Sequence, residues 1–150
     1  METREGHSPV SIRTALFIAR DSGFIAHQSC EVYLVTQVLT VVRHAESAVL
    51  GAPQPAKLPV GDRVASQGTA QHQEAAGVGA SIGVWESSPG QFRRHLKNRE
   101  FSHILSGWCI FTPDGGEPVE LRAGDAVLFP ANCEGVWDIR ETLRKTYVLF

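Results

Sequence analysis

From Val78 onward, apolar and polar residues alternate in short runs, and turn signals break these runs about every ten residues. That period-two pattern predicts strands over 80–86, 91–96, 100–106, 108–112, 118–121, 126–129, 133–139 and 142–150. Between them lie Ser87-Ser88-Pro89-Gly90, Lys97-Asn98-Arg99, Ala123-Gly124-Asp125 and Pro130-Ala131-Asn132. Pro113-Asp114-Gly115-Gly116 is the strongest hairpin signal. Short strands at this spacing, with almost no helix, predict an all-β sandwich or barrel of jelly-roll type. The first fifty residues are less regular. Residues 11–20 satisfy helix or strand, and 30–43, rich in Val, Thr, Tyr and Leu, lean towards strand. Gly51-Ala52-Pro53-Gln54-Pro55 interrupts any regular element, because proline lacks an amide hydrogen and restricts the residue before it. The expected organisation is therefore an N-terminal extension, 1–54, serving as an added strand or dimerisation arm, followed by a β-barrel domain, 55–150. The polar, Ala- and Gly-rich stretch 67–79 is expected to be loop.

Composition narrows the function classes. At 150 residues and 43% hydrophobic content, the chain can build one ordinary core. The net charge of −2 provides no broad field for nucleic acid or an anionic membrane, so neither is an expected partner. The apolar tract 32–42 falls well short of the roughly 20 residues a membrane-spanning helix needs. Cys30, Cys109 and Cys133 are odd in number and widely spaced, which fits neither a disulfide framework nor a structural zinc site. A reducing cytoplasm is the expected location.

Several segments resemble the cupin superfamily, in particular its small, single-domain EutQ-like members. They are Gly83-Val84-Trp85-Glu86-Ser87-Ser88-Pro89-Gly90, Glu100-Phe101-Ser102-His103-Ile104-Leu105-Ser106-Gly107, Gly124-Asp125-Ala126-Val127-Leu128-Phe129-Pro130-Ala131, Gly135-Val136-Trp137-Asp138 and Arg144-Lys145-Thr146-Tyr147-Val148. His95, Glu100 and Gly107 fall on the last three marks of the family's first motif, and Gly124 through Pro130 on the opening of its second. The resemblance covers about 56–150 and implies a cupin jelly-roll barrel. Cupins with a complete metal centre hold iron, manganese, nickel or zinc with histidines and a glutamate. This chain has Arg93 where the first of those histidines would stand, and Asn132 and Gly135 at the second motif's glycine and histidine. Only His95 and Glu100 remain as candidate metal ligands, fewer than such ions normally require. A divalent metal is thus the less favoured expectation, and the cofactor is left unspecified.

Strand alternation, taken with the inward ligand face of the resembled barrels, places Arg93 and His95 in the cavity together with Glu100 and Ser102. Arg93 reads as an anion hook, or as an internal partner of Glu100. His95 and Glu100 are the candidate acid–base pair, or a simple hydrogen-bonded pair. Lys145 and Tyr147 share one face of the last strand. With Trp137 on the strand before it, they would add an ammonium, a phenol and a flat apolar wall; alternatively Lys145 is a surface residue and the two rings are core. Trp85, Trp108 and Phe129 read as packing. A homodimer is expected in either case below, because the resembled barrels commonly pair through strands outside the core and the β-rich segment 31–42 has no other evident partner. The missing histidines favour an accessory or sensor protein that binds a small anionic metabolite. The alternative is an isomerase-, lyase- or hydrolase-type enzyme using His95 and Glu100, with or without a metal.

Overall fold

The computed structural model describes residues 38–75 and 77–150. Its elements are β1 Gln54–Pro55, β2 Pro59–Val60, β3 Ser66–Ala75, β4 Ala80–Ser87, β5 Gly90–Leu96, β6 Glu100–Pro113, β7 Val119–Arg122, β8 Ala126–Phe129 and β9 Cys133–Leu149. Every pairing is antiparallel, and no helix occurs among the described residues. The fold is a curled antiparallel sheet of jelly-roll type, as the alternation predicts.

The long last strand organises it. One edge of β9 pairs with β5 near its start, from Leu96↔Cys133, and with β4 near its end, to Ser81↔Leu149. Its other edge pairs with β6 from Pro113↔Gly135 to Glu100↔Leu149, and β6 carries β7 and β8. Curling this sheet closes one face over a core that includes Phe92, Leu96, Ile104, Phe111, Trp137 and Leu143. Trp137 sits at its centre, with ring centroids 6.2, 5.1 and 5.6 Å from Trp85, Phe111 and Phe129. Tilted and edge-on ring pairs of this kind add about 0.5–1.5 kcal/mol each beyond the apolar area they bury.

Three expectations change. The strands expected at 100–106 and 108–112 are one strand, β6, because Gly107 takes φ 78° inside the ladder instead of ending it. A Cβ there would collide with the Thr142 carbonyl oxygen, so the register shifts between Ile104 and Cys109 depend on glycine. The strands expected at 133–139 and 142–150 likewise merge into β9, which spans the same irregular zone. Finally, the stretch expected to be loop supplies β3, whose mostly exposed polar side chains hid it.

Residues 38–53 form no strand, so the strand expected over 30–43 is absent from its described portion; 30–37, like 11–20, lie outside the described residues. Here the chain lies on the outer face of β3, β4 and β9. Ala48 packs with Ala70 and Val84, flanked by Val42, Ala45 and Leu50. A bulge between Ala70 and Gln73, with Gln71 at φ 50°, aims the Gln71 amide at the Arg43 backbone. The Gln71 Oε1 accepts from Arg43 N at 2.9 Å and its Nε2 donates to Arg43 O at 2.6 Å, replacing a strand partner. Arg144 secures the next turn by donating from Nη1 to the carbonyls of Ala45, Glu46 and Ala48 while Nε pairs with Glu86.

Candidate functional site

Inside the curl, β3, β4, β5, β6 and β9 each contribute to a cavity of about 100 Å³, lined by Thr69, Trp85, Arg94, Leu96, Glu100, Trp137, Lys145, Tyr147 and Leu149. A single water needs about 10–15 Å³ measured in this way, so the space suits a few waters or a small organic molecule.

Its centre is a buried ion pair. Lys145, 5% exposed, donates to Glu100 Oε1, and Ser102 Oγ donates to the same oxygen at 2.8 Å. The register explains the meeting: Ile104↔Lys145 and Glu100↔Leu149 place both side chains on the concave face of neighbouring strands. The lysine ammonium also lies over three rings, 4.9 Å from the centroid of Trp137, 5.1 Å from Trp85 and 5.8 Å from Phe129. Burial alone would push the Glu100 carboxyl up, but Lys145 beside it and the hydrogen bonds from Lys145 and Ser102 bring it below its ordinary value. Burial lowers the Lys145 pKa, against the opposing pull of Glu100.

Tyr147 forms one wall. Its hydroxyl lies 2.8 Å from His72 Nδ1, and burial raises its pKa. A side chain at position 83 would exclude this arrangement, because a Cβ there would sit 2.7 Å from the hydroxyl oxygen. Glycine is what lets the phenol cross the sheet.

Of the residues predicted for the site, Glu100, Ser102, Trp137, Lys145 and Tyr147 are brought together; Ser102 contributes by holding Glu100. Arg93 and His95 are not. Phe92 and Leu96 are core residues, so alternation along β5 puts Arg94 on the cavity side, where it lines the cavity while remaining exposed, and sends Arg93 and His95 to the opposite face. Arg93 pairs there with Asp114 and lies 4.0 Å from Glu134, which overturns its assignment as the interior hook or as the partner of Glu100. His95 instead reaches a second hollow of about 180 Å³ at the 97–99 turn, which shares Arg94, Leu96, Glu100 and Leu149 with the first. Arg94 makes no ion pair among the described residues.

A metal held by His95 and Glu100 does not fit this arrangement. His95 does not line the cavity that holds the Lys145–Glu100 pair, the Glu100 Oε1 is taken by Lys145 and Ser102, and no group of three or more His, Cys, Asp or Glu side chains converges among the described residues. The Lys145 ammonium instead neutralises the Glu100 carboxylate. Cys109 is fully buried, and burial pushes its thiol up to about 12, so it is inert packing.

The sequence reading missed Arg94, Trp85, Thr69 and His72 as members of the site. Alternation puts Arg94 on the face of Phe92 and Leu96, but the ligand face of the resembled barrels marks the Arg93 and His95 side as inward. Thr69 and His72 were hidden by the polar texture of β3, and Trp85 is both wall and core.

Residues 74–147 match the family model of the EutQ-like cupin domain. Solved structures with a similar fold include a protein of unknown function of the DUF861 family from Pseudomonas syringae pv. tomato, with 19% identity, TM-score 0.59, and coverage of 69% of this chain and 44% of that one. The chain thus spans less than half of that relative. The Clostridium difficile EutQ protein is similar at 17% identity and TM-score 0.51, over 57% of this chain and 68% of its own. A putative ethanolamine utilization protein Q from Salmonella typhimurium is similar at 17% identity and TM-score 0.51, over 67% and 98%. At these identities the likeness concerns the fold. No curated protein gives a significant match.

Proposed function

This chain carries an EutQ-like cupin domain, and from that premise we propose that it is a small-molecule-binding protein that takes a small organic anion into the chamber beside the Lys145–Glu100 pair. The observation that carries the reading is the charge balance of the cavity wall. Lys145 and Glu100 satisfy each other, whereas the exposed Arg94 guanidinium makes no ion pair among the described residues. A planar fork of donors in a partly enclosed site matches a carboxylate with two parallel hydrogen bonds. Trp85, Trp137 and Tyr147 offer flat apolar surface to the remainder of the ligand, and the cavity volume restricts it to a few heavy atoms.

The degenerate metal site supports an accessory or sensor role in preference to metal-dependent catalysis. A homodimer in the cytoplasm completes the proposal, although the segment expected to pair, 31–42, lies mainly outside the described residues. Acid–base work shared by His95 and Glu100 is no part of it, because His95 does not line this chamber and Glu100 is engaged by Lys145.

Thermal-shift and calorimetric titration with acetate, propionate, glyoxylate and inorganic phosphate, with choline as a cationic control, tests the reading. At least one small carboxylate should stabilise the protein, with affinity reduced tenfold or more in Arg94→Gln and unchanged in Arg93→Gln. Equal binding by Arg94→Gln, or stabilisation by choline alone, would overturn it.

A further inference from the structure

We infer that Lys145 is an imine-forming residue and that the ligand class is a short 2-oxo acid, held by its carboxylate on Arg94 while its carbonyl carbon meets the Lys145 amine. The inference rests on the anion-binding reading above and adds a covalent step to it.

Three features of the chamber support this chemistry. Lys145 lines the same small cavity as Arg94, so a ligand of a few heavy atoms anchored at one reaches the other. Trp85, Trp137 and Phe129 surround the ammonium at 4.9–5.8 Å and exclude most of the water that would keep an amine protonated and an imine hydrolysing. Glu100, held in place by Ser102, is already hydrogen-bonded to Nζ and is the base positioned to receive its proton. A lysine retained only to neutralise a carboxylate would not need to face a void.

The step balances without any oxidant or reductant. Glu100 takes one proton from the ammonium, and the freed lone pair attacks the carbonyl carbon. The C=O π electrons move to oxygen, which accepts the proton from Glu100 to give a carbinolamine. Loss of that hydroxyl as water, taking up the second amine proton through Glu100, leaves a protonated C=N bond. The cation survives the reaction, so the iminium still faces a carboxylate.

The protein is incubated with glyoxylate and sodium cyanoborohydride, which reduces an imine to a stable secondary amine, and each lysine is then read by peptide mapping. Exposed Lys57 and Lys97 serve as internal controls. Lys145 should gain a carboxymethyl group at least tenfold faster than either control. Arg94→Gln should slow that labelling about tenfold with glyoxylate and leave labelling by acetaldehyde, which has no carboxylate, unchanged. Labelling of Lys145 no faster than the controls overturns the inference, and the wild-type map reads this without any folded variant. Should glyoxylate bind in an Arg94-dependent way without labelling Lys145, the covalent step fails and the anion-binding reading stands. Should Lys145 label fast but identically in Arg94→Gln, the amine is reactive and the carboxylate anchor fails.

Discussion

Arg144 and Lys145 are neighbours in β9 and project to opposite sides of one sheet. Lys145 enters the concave face, where it meets a single carboxylate and three aromatic rings; Arg144 emerges on the convex face, where it meets Glu86 and three backbone carbonyls of the 45–48 turn. The difference shows what each face of a cupin sheet asks of a cation. Within the curl, a charge has been removed from water and survives only because another charge answers it. Outside, a half-buried guanidinium spreads its donors over several acceptors and fastens a segment that has no strand partner. The first arrangement builds a chamber and the second fastens a segment to the back of the sheet.

Removing one member of the inner pair should have the largest effect. Lys145→Met leaves the Glu100 carboxylate buried without its partner and should destabilise the fold by about 3–5 kcal/mol in denaturant titration. The double variant Lys145→Met, Glu100→Gln should recover most of that loss, and a double variant as unstable as the sum of the singles would show that the two groups act independently. On the outer face, Arg144→Ala should have a smaller effect, about 1–3 kcal/mol, from the charged hydrogen bonds it removes. Its signature is local: amide exchange should accelerate over 41–50 and stay unchanged in β5 and β6. Protection unaltered over 41–50 would mean that Gln71 and the Ala48 cluster hold the segment without Arg144.

The smallest effect expected is a pH dependence specific to the inner pair. The folded-state pKa of Glu100 lies below its ordinary 4.5, so folding favours the ionised form. That contribution is complete above about pH 4.5 and is lost as pH falls through the folded value. Between pH 6 and pH 3 (on the order of one carboxylate's titration range) the thermal midpoint of the wild type should fall more steeply than that of Glu100→Gln. Parallel curves would place the acid sensitivity in other carboxylates.

Much of the barrel was legible because its strands have one buried face and its turns carry Gly, Pro, Asn and Asp. Glu100, Ser102, Lys145 and Tyr147 could be placed on one face because each lies on a strand whose alternation is regular near it. Legibility failed where a local signal had two meanings. Gly107 reads as a stop, yet in β6 it is a bulge that lets the strand continue. Ser66–Ala75 has few large apolar side chains because most of it is exposed, so nothing in its own texture separates it from loop.

The order of residues by itself determined that this chain makes an antiparallel β fold, where most of its turns lie, and that Arg93 and His95 share one side of β5 while Arg94 lies on the other. A period of two sorts residues into two sets without saying which set is enclosed. That choice belonged to the tertiary structure. Closing the sheet brings Trp85, Ile104 and Trp137 from other strands against Phe92 and Leu96, and the apolar area buried there fixes which side is enclosed, while Arg94 on that side stays exposed with its head at the cavity. Contacts between strands distant in sequence therefore decided that Arg94, and not Arg93, faces the Lys145–Glu100 pair.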